Sequence, residues 1–180
     1  LLKLASDDSG INEALFAQAD EVVKKNRLFN IAKSVYQGEL IPPDSDDFTS
    51  NANLFNYQAK IIKQLAETES CVIIGRCADF VLKDYENVLS VFIHAPEPFL
   101  IEQVMKKHNF NEKDALKYIL KTDKFRAEYY EHFTGREWTD ARNYDLCLNS
   151  SKLGFEKCVE EIKAHMQVRF GADVLNELKK

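Results

Sequence analysis

Apolar positions follow a helical rhythm over most of this chain. Residues 1–40 are predicted to be helical and broken at Ser9-Gly10, with Ile11, Leu15, Ala19, Val22 and Val23 recurring at helical intervals. Residues 38–53, with Pro42-Pro43 followed by aspartates and serines, predict a polar loop. The next helix sets Leu54, Gln58, Ile61, Ile62 and Leu65 along one face. Pro98 suits the first turn of a helix carrying Phe99, Leu100, Ile101, Val104 and Met105. Asn111 is placed to cap a long helix, with Glu112 and Asp114 in its first turn and Ala115, Tyr118, Ile119, Phe125 and Tyr129 on its apolar face. A last helix is expected to bury Phe155, Val159, Ile162 and Met166, and to end before Gly171.

Three stretches break that rhythm. Residues 71–74 and 88–93 are unbroken apolar runs, too short for helices and without alternation, which predicts strands covered on both faces. Leu146-Cys147-Leu148 is a weaker third strand. A helical pattern follows each of the first two, so the chain reads as α/β. It shows no internal repeat and no low-complexity tract.

Composition narrows the function classes. A length of 180 residues most simply makes one domain with a substantial core. No apolar stretch approaches a membrane span and no signal peptide opens the chain, so a cytoplasmic protein with no membrane partner is expected. The net charge of −5 disfavours DNA or RNA as partners, because phosphate backbones require concentrated Lys and Arg, yet it leaves room for a local basic pocket. Cys71, Cys77, Cys147 and Cys158 show no C-x-x-C spacing and are expected as free thiols, Cys71 and Cys147 buried in apolar runs. His94, His108, His132 and His165 are scattered, and no metal ligand set is expected. Neither a Gly-x-Ser-x-Gly nucleophile turn nor a Gly-x-x-x-x-Gly-Lys phosphate loop occurs within these residues.

Three clusters carry candidate chemistry. Ligands of open parallel sheets sit beyond the carboxyl ends of the strands, and Gly75-Arg76 occupies such an end. The glycine permits a sharp turn, and the arginine offers a planar fork of donors to a phosphate or carboxylate, or else to a neighbouring helix. Asp123 and Arg126 lie three apart on one helical face, either as a site pair or as an exposed ion pair. In "TGREWTDARNYDL", Arg136 and Arg142 bracket Trp138, the only tryptophan, as an anion clamp or as a packed connection with solvated charges.

The strings "CVIIGRCADFVL", "VFIHAP", "TDKFRAEYY" and "GREWTDARNYDLCLNSSKLG" together resemble the cytidylate kinase-like family of the P-loop nucleoside monophosphate kinases. The resemblance runs from about Leu1 to Gly171. It implies a three-layer α/β/α fold around a five-stranded parallel sheet, and transfer of the γ-phosphoryl of ATP, with Mg²⁺, to a nucleoside monophosphate. Residues 10–60 would form the acceptor side of a single kinase-like domain, and residues 97–143 a lid-like region. Gly75-Arg76 matches the first two positions of a Gly-Arg-Asp motif whose arginine grips the acceptor phosphate. Its aspartate falls at Cys77, with Asp79 a stand-in two residues on.

Asp123 and Arg126 match the family's Asp-x-x-Arg pair, and Arg136 and Arg142 would add substrate contacts. Ser150, Ser151 and Lys152, after the last strand, would lie beside the adenine. Basic residues of the family fall at Leu100, Gln103 and Ile119 here. The resemblance also places a phosphate-binding loop, with its flanking strand and helix, ahead of the region matching Leu1, so several tens of upstream residues are expected. The retained Gly-Arg and Asp-x-x-Arg favour an active enzyme, whereas the lost charges favour a non-catalytic nucleotide-binding or regulatory protein. No helix shows an extra apolar stripe from which to read an oligomeric state.

Overall fold

The computed structural model describes residues 1–21 and 40–177. Val22, Val23 and the start of the expected 38–53 loop lie outside the described residues. The chain divides into two compact units, one of Leu1–Asp84 and Phe125–Trp138, the other of Tyr85–Lys124 and Thr139–Lys180.

The first unit opens with helices α1 (Leu2–Ser9) and α2 (Glu13–Glu21). Gly10 ends α1 at φ 74, a left-handed cap that a Cβ would disfavour, and its N–H reaches Ser6 O. Helix α3 (Asn51–Thr68) begins where Ser50 Oγ accepts the Asn53 N–H, three residues earlier than the loop reading expected. Its face closes on the first two helices, burying Ala5, Ile11, Phe16, Leu54, Tyr57 and Ile61 as one cluster. Asn53 is fully buried and fully used. Its Nδ2 donates to Phe48 O at 2.8 Å and Ile41 O at 3.2 Å, and its Oδ1 accepts the Ile41 N–H at 2.9 Å, which fastens the 40–50 loop to the helix. Phe55 of α3 stacks on Phe133 with ring centroids 4.2 Å apart. Against α3 packs α4 (Ala78–Val81), a single turn.

The second unit holds β1 (Val91–His94) and β2 (Leu146–Asn149), paired in parallel with Val91 opposite Leu146 and His94 opposite Asn149. Parallel strands need a crossover, and the chain between them supplies α5 (Glu97–His108) and α6 (Glu112–Thr134), whose last turns belong to the first unit. Pro98 lies in the first turn of α5, and Asn111 Oδ1 accepts the Asp114 N–H at 2.9 Å to cap α6, both as the sequence predicts. A 3₁₀ turn (Ala141–Asn143) precedes β2, and α7 (Ser150–Leu153), α8 (Phe155–Phe170) and α9 (Val174–Glu177) follow it.

Three expectations are corrected. Residues 71–74 form no strand: Val72 and Ile74 are 91% and 88% exposed, and a run with no ladder partner among the described residues has nothing to hold it in a sheet. Cys71 and Cys147 are exposed, and Cys77 and Cys158 are the buried thiols. Helix α8 buries Cys158 alone, with Phe155 and Val159 largely exposed. Both strands are also less covered than unbroken apolar runs suggest, with Ile93 half exposed and Leu148 the one buried strand residue. In a two-stranded sheet each strand is an edge. The described residues thus form a mixed α/β structure, mostly helical, with a small parallel sheet.

Candidate functional site

In the first unit the chain leaves residues 71–74 through three consecutive left-handed residues, Gly75 at φ 69, Arg76 at φ 60 and Cys77 at φ 53. Glycine accepts this geometry freely, whereas Arg and Cys each pay about 1–2 kcal/mol for it. The turn closes as Ala78 N–H donates to Gly75 O at 3.1 Å, and Val81 N–H to Cys77 O at 2.9 Å. Conformations this unfavourable persist only where surrounding contacts impose them.

Those contacts are visible. Cys77 is 3% exposed, and burial, then the Asp79 charge, push its thiol well above the ordinary range, against a smaller opposite pull from Arg76. It is a protonated packing group rather than a nucleophile. Asp79 Oδ2 accepts the Tyr130 hydroxyl at 2.6 Å. Burial raises the Asp79 carboxyl above its ordinary value, outweighing the Tyr130 hydrogen bond, the N–H groups of Asp79 and Phe80, and the Arg136 charge. The Arg136 guanidinium lies 4.9 Å from the Phe80 ring centroid, and the Arg136 N–H donates to Thr134 Oγ1. Arg126 lies 5.9 Å from the Trp138 ring centroid. Arg76, Asp79 and Arg136 therefore share one neighbourhood.

The other expected residues stand elsewhere. Asp123, half-buried, lies one turn before Arg126 along α6. Arg142 belongs to the second unit. Its Nε and Nη2 grip Asp140 at 2.7–3.0 Å, and those bonds hold the Asp140 carboxyl down to about 2. At the ends of β1 and β2, Ser150 Oγ donates to His94 O at 3.2 Å, and Ser151 Oγ donates to Asn149 Oδ1 at 2.7 Å. Both hydroxyls thus serve the strand-to-helix junction, while Lys152 is exposed.

Sequence reasoning missed Tyr130, Phe80 and Thr134. Tyr130 follows Tyr129 in an aromatic helix face and carries no local mark of its bond to Asp79, fifty-one positions away. Among the described residues, no group of three or more His, Cys, Asp or Glu side chains gathers as a metal site. No helix of the described residues is long and apolar enough to cross a membrane.

The first unit thus sets Arg76 in a strained turn and Arg126 and Arg136 on aromatic faces. The chain belongs to the cytidylate kinase-like family, which it matches over residues 1–152. It is also similar to the crystal structure of an uncharacterized protein from Eubacterium ventriosum, at 31% identity and a TM-score of 0.63, over 69% of this chain and 78% of that one. No curated protein matched in the comparison. Family membership supports a nucleotide kinase-like role.

Proposed function

We propose that this chain is a phosphotransferase that moves the γ-phosphoryl of ATP to a nucleoside monophosphate, with Arg76 as the contact to the acceptor phosphate. The observation that carries this reading is the left-handed turn Gly75-Arg76-Cys77, because strain of this kind concentrates at functional sites and here it falls on the arginine of the family's motif. A guanidinium there meets a phosphate in two parallel hydrogen bonds. Arg136 and Arg126 add positive charge from cation–π platforms that hold their side chains in place. Asp123, from its position before Arg126, would orient that arginine or contact the acceptor. The chain's own work is positioning and charge neutralisation, the main requirements of phosphoryl transfer. ATP supplies the phosphoryl group, and Mg²⁺ accompanies it in kinases of this kind. In the second unit, the exposed Lys152 would be the nucleotide contact of the 150–152 segment and Arg142 a substrate contact, and the reaction is expected in the cytoplasm.

A second reading, nucleotide binding without turnover, is favoured by Asp79, whose carboxylate is engaged by Tyr130 rather than open to a ligand. A coupled ADP-release assay on the full-length protein with CMP, dCMP, UMP and AMP separates the two. Acceptor-dependent turnover that Arg76→Ala abolishes is the expected result. Unchanged kinetics in Arg76→Ala remove that residue from the site, and tight binding without turnover supports the second reading.

A further inference from the structure

Helix α4 is too short to stabilise itself, and its N-cap residue Cys77 makes no capping hydrogen bond from its side chain. Two side-chain-bearing residues before it are left-handed. Tertiary contacts must hold this turn, and one of them is the hydrogen bond from Tyr130 to Asp79. Tyr130 is 4% exposed and is itself anchored: Thr134 Oγ1 donates to Tyr130 O at 2.6 Å. The same Thr134 Oγ1 accepts the Arg136 N–H at 3.1 Å, and the Arg136 guanidinium lies over Phe80, the residue after Asp79. Asp79, Tyr130, Thr134, Arg136 and Phe80 thus close a ring between the end of α6 and the first turn of α4.

We propose that Tyr130 is a positioning residue: its hydroxyl fixes Asp79, and through it the left-handed backbone of Arg76, from the same helix end whose Thr134 steadies Arg136. The consequence for an acceptor phosphate rests on the phosphotransferase reading, whereas the hold on the turn does not. The C-terminal turn of α6 thereby has joint control of two arginines.

The test uses Tyr130→Phe in the full-length protein, which removes one oxygen and keeps the ring. The thiols supply a readout independent of activity. Cys77 is buried at the turn, Cys158 is equally buried in the other unit, and Cys71 and Cys147 are exposed. Iodoacetamide labelling of the native protein, read by peptide mass spectrometry, is expected to be fast at Cys71 and Cys147 and slow at Cys77 and Cys158. In Tyr130→Phe, labelling of Cys77 should rise about tenfold or more with Cys158 unchanged, as expected on losing a buried hydrogen bond to a charged group. CMP affinity by calorimetry should fall about tenfold, with ATP affinity unchanged.

Asp79→Asn, which keeps an acceptor for the hydroxyl, should retain most of the protection of Cys77, losing only the part owed to the Asp79 charge that raises its thiol. Asp79→Ala should lose it, and should add little further when combined with Tyr130→Phe. Should Tyr130→Phe fail to fold, the Asp79→Asn and Asp79→Ala pair decides alone. Equal labelling of Cys77 in wild type and in either bond-breaking variant overturns the proposal, as does a parallel rise at Cys158. Selective exposure of Cys77 with CMP affinity unchanged supports the hold on the turn and counts against Arg76 as the acceptor contact.

Discussion

Asp145 and Ser90 clasp each other where the two parallel strands begin. Asp145 Oδ2 accepts both the Ser90 N–H and the Ser90 hydroxyl at 2.8 Å, while Ser90 O accepts the N–H groups of Asp145 and Leu146 at 3.0 and 3.1 Å. Arg169 of α8 adds an ion pair to the same carboxylate oxygen at 2.8 Å. With only one ladder between β1 and β2, this clasp fixes the register from its open end. Asp145→Ala is therefore expected to destabilise the second unit by about 1–2 kcal/mol, the carboxylate's partial exposure reducing the full value of charge-assisted bonds.

The pH dependence follows. Burial tends to raise the Asp145 carboxyl, but the Ser90 hydrogen bonds and then Arg169 outweigh it and leave the group below its ordinary value. Stability from this clasp is thus complete above the ordinary carboxylate range and is lost as pH falls through the depressed folded value. Thermal unfolding of wild type and Asp145→Ala should converge in acid, and a constant gap between them at all pH values would contradict the clasp.

Much of this unit was legible in local chemistry. Pro98, Asn111 and Gly171 mark helix ends that the structure keeps, and Leu146 to Leu148 pairs as a strand. Caps and turns act over three or four residues, so a sequence displays them. Burial depends on what lies across a surface, which local pattern does not display. The 71–74 run carries strand-forming residues without a ladder, and the apolar positions of α8 face outward at Phe155 and Val159. The site shows the same division. Gly75-Arg76 was visible as a turn with a cation, but the contacts that hold it come from Tyr130 and Arg136, more than fifty positions on. Trp138 stands between Arg136 and Arg142 in the chain, and the fold also brings Arg126 to within 5.9 Å of its ring centroid.

Asp79→Asn is expected to stabilise the protein at neutral pH. The folded carboxyl is raised, chiefly by burial, so the folded state favours the protonated form more than the unfolded state does. The corresponding stability is present below the ordinary carboxylate range and is lost as pH rises through the raised folded value. Asparagine carries no charge to desolvate and still offers Oδ1 to the Tyr130 hydroxyl. Urea midpoints of wild type and Asp79→Asn should diverge as pH rises across that window, with the variant higher. A lower midpoint at neutral pH would mean that the Asp79 charge, through Arg136, contributes more than its burial costs.

Gln58 offers the opposite case, a polar group whose removal should help. It lies in the middle of α3, 1% exposed, with Leu54, Phe55, Ile61 and Ile62 buried around it in the sequence of the helix. Its Oε1 has no hydrogen-bond partner among the described residues. A buried acceptor left without a donor costs about 1–3 kcal/mol. Gln58→Met keeps an unbranched side chain of similar volume and a good helix former while removing the amide. The expected gain is about 1 kcal/mol, read as a higher urea midpoint with an unchanged slope, because the surface exposed on unfolding stays the same. Gln58→Ala should lose stability instead, through the cavity left in the packed face of α3. A loss in Gln58→Met as well would show that the amide has a bound water or another donor in solution.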